Sequence, residues 1–160
     1  MAEKDRRYTL PMILWHYVPM ATAQQLNAYF EDWLGASART EQEIIHLVEV
    51  GLPLKIVPRL IQRGLSRDEV FQIIINPRTL KHRRSKRQPL SKEESERVVR
   101  AVRILARAEA VMGGLNAALR WLRAPKKRFD GRPPLEMLST ETGGRMVEQM
   151  LVQIDEGMFA

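Results

Sequence analysis

From Thr22 onward, apolar residues return at intervals of three and four, and no stretch alternates with period two. The pattern predicts an all-α chain. Leu26, Tyr29, Phe30, Trp33 and Leu34 mark a first helix that Gly35 stops, and its aromatics suit a core or a dimer contact. A second helix is expected over 41–50, with Ile44, Leu47 and Val48 on one face and Gly51 at its end. A third is expected over 54–63, closed by Gly64. Ser66 and Glu69 form a capping box for a fourth helix that carries Val70, Phe71, Ile73 and Ile74. The turn Ile75-Asn76-Pro77 follows, and proline suits the first position of a fifth helix over 78–86 because no N–H is needed there.

Ser91 and Glu94 form a second capping box, opening a long helix that Gly113-Gly114 ends after Met112. Val98, Val102, Leu105 and Met112 lie near one stripe of it, and Arg97, Arg100, Arg103 and Arg107 on another. The spacings Glu93–Arg97 and Glu96–Arg100 make a salt-linked, solvated face the simplest account of that basic stripe. A short helix over 116–123 carries Leu119, Trp121 and Leu122, and a basic loop follows over 125–132. Pro133-Pro134 opens another short helix with Leu135, Met137 and Leu138. The last helix is expected over 142–156, with Val147, Met150, Leu151 and Ile154 facing inward and Gly157 as its stop. The residues before the first helix, 1–19, read as an irregular arm. Their apolar run 10–20 is broken by Pro11, His16 and Pro19 and makes a poor secretory leader.

Charge narrows the functional classes. The chain has 160 residues, a net charge of +7 and a pI near 10.1, a balance that favours an anionic partner: nucleic acid, an acidic protein or an anionic membrane. The absence of cysteine excludes disulfides, thiol catalysis and thiolate zinc sites, and suits a cytoplasmic location. The three histidines, His16, His46 and His82, lack metal-ligand spacing, so no metal or cofactor is expected. No segment is apolar for long enough to span a bilayer. Ser66, Ser91 and Thr140 read as caps and Glu93 and Glu94 as helix-start acids, which leaves no catalytic constellation.

The cations are densest over 77–90, directly after the fourth helix. A helix-turn-helix sets its second helix in the major groove with the first side chains at base edges, which places Arg78, Thr79 and His82 there. Lys81, Arg83, Arg84, Lys86 and Arg87 are expected to grip phosphates, contacts that set position and salt dependence rather than sequence choice. The apolar run Ile73-Ile74-Ile75 just before Pro77 bears on how this helix is seated. The C-terminal end has the opposite sign: Glu141, Glu148, Asp155 and Glu156 stand against Arg145 alone, a surface suited to a basic protein.

The stretches RTLKHRR, LSKEESERVVR and ALRWLRAPKKRFDGRPPLEMLSTETGGRMVEQMLVQIDEG carry the signatures ES-x-R, RWL-x-x-P, G-x-x-PL and T-x-x-G. Together they resemble the Xre/MbcA/ParS antitoxins over roughly residues 44–157. The resemblance implies a variable arm and helix over 1–40, an Xre-like helix-turn-helix domain over 41–90 and a helical toxin-binding domain over 91–160. It implies a RES-domain, NAD-consuming toxin as partner, blocked at its active site, and repression of the chain's own operon through operator DNA. It puts the DNA role on Arg78, Thr79, Lys81, Arg83 and Arg84. Trp121, Pro125, Gly131, Pro134 and Leu135 look like scaffold.

A pocket for a dianionic pyrophosphate presents basic groups, so the toxin is expected to meet the acidic last helix and tail: Arg145, Glu148, Gln149, Val152, Gln153, Glu156, Met158 and Phe159. Two-fold operator reading further implies a homodimer within a larger complex. The alternative is a stand-alone helix-turn-helix regulator without a toxin.

Overall fold

The computed structural model describes residues 21–158. The arm, the run 10–20 and Phe159 lie outside that range. Within it the chain is all helical: α1 (Ala23–Leu34), α2 (Glu41–Val50), α3 (Ile56–Gln62), α4 (Arg67–Ile73), α5 (Pro77–Lys86), α6 (Lys92–Met112), α7 (Leu115–Arg123), α8 (Pro134–Met137) and α9 (Glu141–Asp155), with a 3₁₀ turn at Lys127–Phe129. Local chemistry sets these boundaries. Capping boxes open α1 (Thr22 with Gln25), α2 (Thr40 with Glu43), α4 (Ser66 with Glu69) and α6 (Ser91 with Glu94). Asn76 caps α5 by accepting from the Thr79 N–H at 2.8 Å, and Pro77 follows in the first turn. The third helix is shorter than its apolar pattern suggests, because Leu54 and Lys55 form a turn whose start, the Pro53 carbonyl, accepts from Ile56.

The long helix α6 is the axis of the molecule, and α1, α2, α7 and α9 all pack on it. Its buried residues run from Glu94 to Val111, so one apolar core extends from the early helices to α9. Val98, Val102, Leu105, Leu122, Leu138, Val147 and Leu151 are essentially inaccessible within it, while Met150 is only partly buried against it. Burying such side chains contributes roughly 1.5–3 kcal/mol each before conformational entropy is set against it.

The aromatics of α1 depart from one of the two roles the sequence allows. Phe30 and Trp33 are spent on this core and are not available to a dimer contact. Trp33 is 1% exposed, and its indole Nε1–H donates to Glu109 Oε2 on α6 at 2.9 Å. Arg63 at the end of α3 donates to the same oxygen at 2.8 Å, and its guanidinium lies 4.7 Å from the centre of the Trp33 ring. Arg63 also pairs with Asp32 of α1. An indole N–H and a glutamate in a core each need a partner, and here they satisfy one another.

The arginine stripe of α6 is a second correction. Neither Glu93–Arg97 nor Glu96–Arg100 forms an ion pair among the described residues. The stripe reaches across elements instead. Arg97 donates to the Ile74 carbonyl at 3.2 Å, Arg103 pairs with Glu41 of α2 at 2.6 Å, and Arg107 approaches Glu148 of α9 at 3.8 Å. An exposed i,i+4 pair stabilises by only a few tenths of a kcal/mol, so a neighbouring helix with a carbonyl or carboxylate to offer competes well.

Two glycines are required by close approach. A Cβ at Gly51, where φ is +90°, would strike the Leu90 carbonyl, which itself accepts no slack because Leu90 N–H is bonded to Leu52 O at 2.9 Å. A Cβ at Gly143 would strike the Met137 carbonyl, while the Gly143 N–H caps α9 through Thr140 Oγ1 at 3.0 Å. The second case explains the T-x-x-G signature: the cap fixes the threonine, and α8 crowds the third residue.

Candidate functional site

The helix pair α4–α5 is held from beneath. Ile73, Ile74, Ile75 and Leu80 are buried, so the apolar run before Pro77 seats α5 on the core. The first turns of α6 add polar ties. Ser95, fully buried, accepts from the Leu52 N–H at 2.9 Å through Oγ, and Arg97 reaches the Ile74 carbonyl ahead of α5. Glu94, 7% exposed, accepts from the Ser91 N–H at 2.7 Å and lies 2.6 Å from Arg83 Nε. These residues belong to the ES-x-R signature, and each of its three named side chains fastens a different part of the helix-turn-helix.

The outer face of α5 is left to solvent. Arg78, Lys81, His82, Arg84, Lys86 and Arg87 are exposed and Thr79 is half-buried. Among the described residues, none of the cations Arg78, Lys81, Arg84, Lys86 and Arg87 has a carboxylate within 4.0 Å. Arg83 differs from them: it is half-buried, one turn beyond Leu80 on the inner side, against Glu94. Arg87 closes the helix in the left-handed region at φ 52°. A helix crowded with unneutralised cations is unfavourable by itself, and it is the arrangement that a polyanion would relieve.

At the other end of the chain, the acidic face of α9 is divided. Arg145, Gln149, Glu156 and Met158 are exposed, and Met158 is among the large apolar side chains most open to solvent at 53%. Arg145 pairs with Glu141 one turn back at 2.5 Å, and Glu148 with Arg107. Gln153 Oε1 accepts from Arg128 of the basic loop at 2.6 Å, and Val152 is half-buried. Asp155, absent from the expected contact set, accepts from the Ala21 N–H, two residues ahead of α1, at 3.1 Å. The structure therefore places Glu148 and Val152 in the distal half of α9 and Glu156 and Met158 just beyond its end, and leaves Phe159 outside the described residues.

Of the residues read as scaffold, Pro134 and Leu135 are buried, Pro125 and Gly131 are exposed, and Trp121 is half-exposed with the Lys126 ammonium 5.1 Å from its ring centre. Burial holds that lysine below its ordinary pKa. A tie that the sequence did not reveal joins α4 to α7. Arg123 meets Glu69 through Nε and Nη2 at 2.7 and 2.9 Å, and also donates to the Gly64 carbonyl at 2.8 Å. Burial pushes the Glu69 carboxyl up, but the Arg123 bonds and the Ser66 N–H outweigh it and hold the pKa below the ordinary value. The same bond raises Arg123. Among the described residues, no cluster of histidine and acidic side chains could hold a metal ion, and no helix is long and apolar enough to cross a membrane.

A cationic helix-turn-helix joined through one long helix to a second helical unit defines a DNA-binding-type protein with an appended interaction domain. Family comparison specifies both parts. Residues 43–103 match the antitoxin Xre-like helix-turn-helix domain, and residues 107–157 match the antitoxin Xre/MbcA/ParS C-terminal toxin-binding domain. The chain belongs to the Xre/MbcA/ParS antitoxin family. The two matches meet inside α6.

Relatives include an Antitoxin Xre of Pseudomonas putida, 43% identical over 104 residues, which are 65% of this chain and 63% of that protein. This chain thus spans less than two thirds of that relative. An Antitoxin Xre of Yersinia enterocolitica is 26% identical over 79% of this chain and 88% of its own length. A Prs ADP-ribosylating antitoxin of a Sphingobium species is 32% identical over 51% of this chain and 57% of its own.

Proposed function

We propose that this protein neutralises a RES-domain, NAD-consuming toxin through its C-terminal domain and represses its own operon through α5. The observation that carries the reading is the union, on one helix, of a toxin-binding domain and a cationic recognition helix whose outer charges have no carboxylate partner among the described residues. Arg78, Thr79 and His82 meet base edges, and Lys81, Arg84, Lys86 and Arg87 meet phosphates. Glu148, Gln149, Val152, Gln153 and Glu156, with Arg145, Met158 and Phe159, sit in the mouth of the toxin's active site. There the acids pair with groups that would otherwise hold a pyrophosphate.

ADP-ribosyl transfer draws on NAD, so the description of the Sphingobium relative agrees with a partner that acts on this cofactor. The protein works in the cytoplasm as a homodimer, two copies of α5 spanning two half-sites. The reading is tested by co-expression with the product of the adjacent gene. Association of the two proteins, with cellular NAD restored, is expected. DNA retention without any such partner would favour the stand-alone regulator instead.

A further inference from the structure

We infer that Arg83 positions the recognition helix instead of touching DNA, and that Glu94 is the residue that sets it. The inference rests on the DNA reading of α5 and assigns a role within it. The helix has one buried residue, Leu80, and a capped start at Asn76. Two fixed points leave it free to swivel about the line between them, and the cations along its outer face repel one another and favour that motion. The third fixed point is Arg83. Its side chain is 21% exposed, its Nε lies 2.6 Å from Glu94 Oε2, and its Nη1 donates to the Pro89 carbonyl at 3.4 Å. The Nε–H is off line for a hydrogen bond, so the link to Glu94 is an ion pair.

Glu94 cannot move to follow the arginine. It is the third residue of α6, its side chain is 9% exposed, and the same Oε2 accepts from the Ser91 N–H at 2.7 Å. The Arg83 carbonyl further accepts from Gln88 N–H at 3.0 Å, which ties the same residue to the segment leading into Leu90. A guanidinium so placed points under the helix, away from where a phosphate lies, while Arg84 beside it points outward.

The test uses the full chain with a duplex from upstream of its own gene and a duplex of unrelated sequence, titrated over a range of salt. Glu94→Gln keeps an oxygen for the Ser91 cap and removes only the charge that Arg83 meets. Positioning predicts that Glu94→Gln and Arg83→Gln each weaken upstream-duplex binding about tenfold. It also predicts that the double variant is no weaker than either single one, as for residues acting as a unit. The slope of log K against log salt stays at the wild-type value in all three.

A direct phosphate contact predicts the reverse: Arg83→Gln makes the slope shallower by about 0.9, and Glu94→Gln leaves affinity unchanged or raised. That result overturns the inference alone. The slope reports only on molecules that bind, so it stays decisive if a variant is partly unfolded. If the wild type retains neither duplex, the DNA reading and this inference fall together.

Discussion

Removing the Glu109 carboxylate should strip α1 from the core more effectively than any exposed substitution. Glu109→Ala leaves two groups without their shared acceptor: the buried Trp33 indole N–H and the Arg63 guanidinium. An unsatisfied buried donor costs about 1–3 kcal/mol, and breaking one side of a buried ion pair about 3–5 kcal/mol. The second figure must be reduced here, because Arg63 is 20% exposed and keeps its pairing with Asp32. A loss of about 3 kcal/mol results, a large share of the roughly 5–15 kcal/mol that holds a domain together. For a chain of this size it corresponds to a fall in Tm of about 6–12 °C.

Trp33→Phe removes the indole bond, leaves Glu109 with Arg63 and opens a void where the larger ring packed, so on the order of 2 kcal/mol is expected. Urea unfolding followed by circular dichroism reads both as shifts in midpoint at constant slope. In the double variant Trp33→Phe with Glu109→Ala, the cost should fall short of the sum. A Glu109→Ala loss under about 1 kcal/mol would refute the claim that this network fastens α1.

Three further outcomes follow from other contacts. Glu69 has a folded pKa below its unfolded value, so its ion pair with Arg123 stabilises fully above about pH 4.3. That contribution disappears as pH falls through the lower folded value. The urea midpoint should therefore decline on acidification below about pH 4.3, and Glu69→Gln should lower the midpoint at pH 7 and make the decline shallower; an unchanged acid profile would remove the pair from the account. Gly51→Ala should destabilise on the order of 2 kcal/mol or more, from positive φ and collision with Leu90 O, whereas Ile45→Ala, at a 54% exposed site, should shift the midpoint by less than about 0.5 kcal/mol. Replacing Lys81, Arg84 and Lys86 together by Ala should weaken binding to related and unrelated duplexes alike, with a salt slope reduced by about 0.9 for each lost contact.

Local signals were legible and long-range partners were not. Ser66 with Glu69 and Ser91 with Glu94 announce helix starts because a cap is written within four residues. Nothing within four residues tells that Glu69 also holds Arg123, 54 positions away, or that Glu94 also meets Arg83. The same limit explains the arginine stripe of α6: spacing offered Glu93 and Glu96 as partners, and tertiary packing supplied the Ile74 carbonyl, Glu41 and Glu148 instead. Trp33 could be recognised as apolar and helical, but the choice between core and dimer turned on Glu109, a buried charge no periodicity predicts. The cationic outer face of α5 was readable because charge density is a local property. The seat of Arg83 beneath it was not.

The separation of the two binding faces is best measured by titrating toxin activity and operator retention with the same pair of variants. One variant carries Glu148→Lys with Glu156→Lys on α9, the other Arg78→Glu with Lys81→Glu on α5. The account predicts that the first loses inhibition and keeps DNA, and that the second keeps inhibition and loses DNA. Undiminished inhibition by the α9 variant, or loss of both activities from either one, would contradict it.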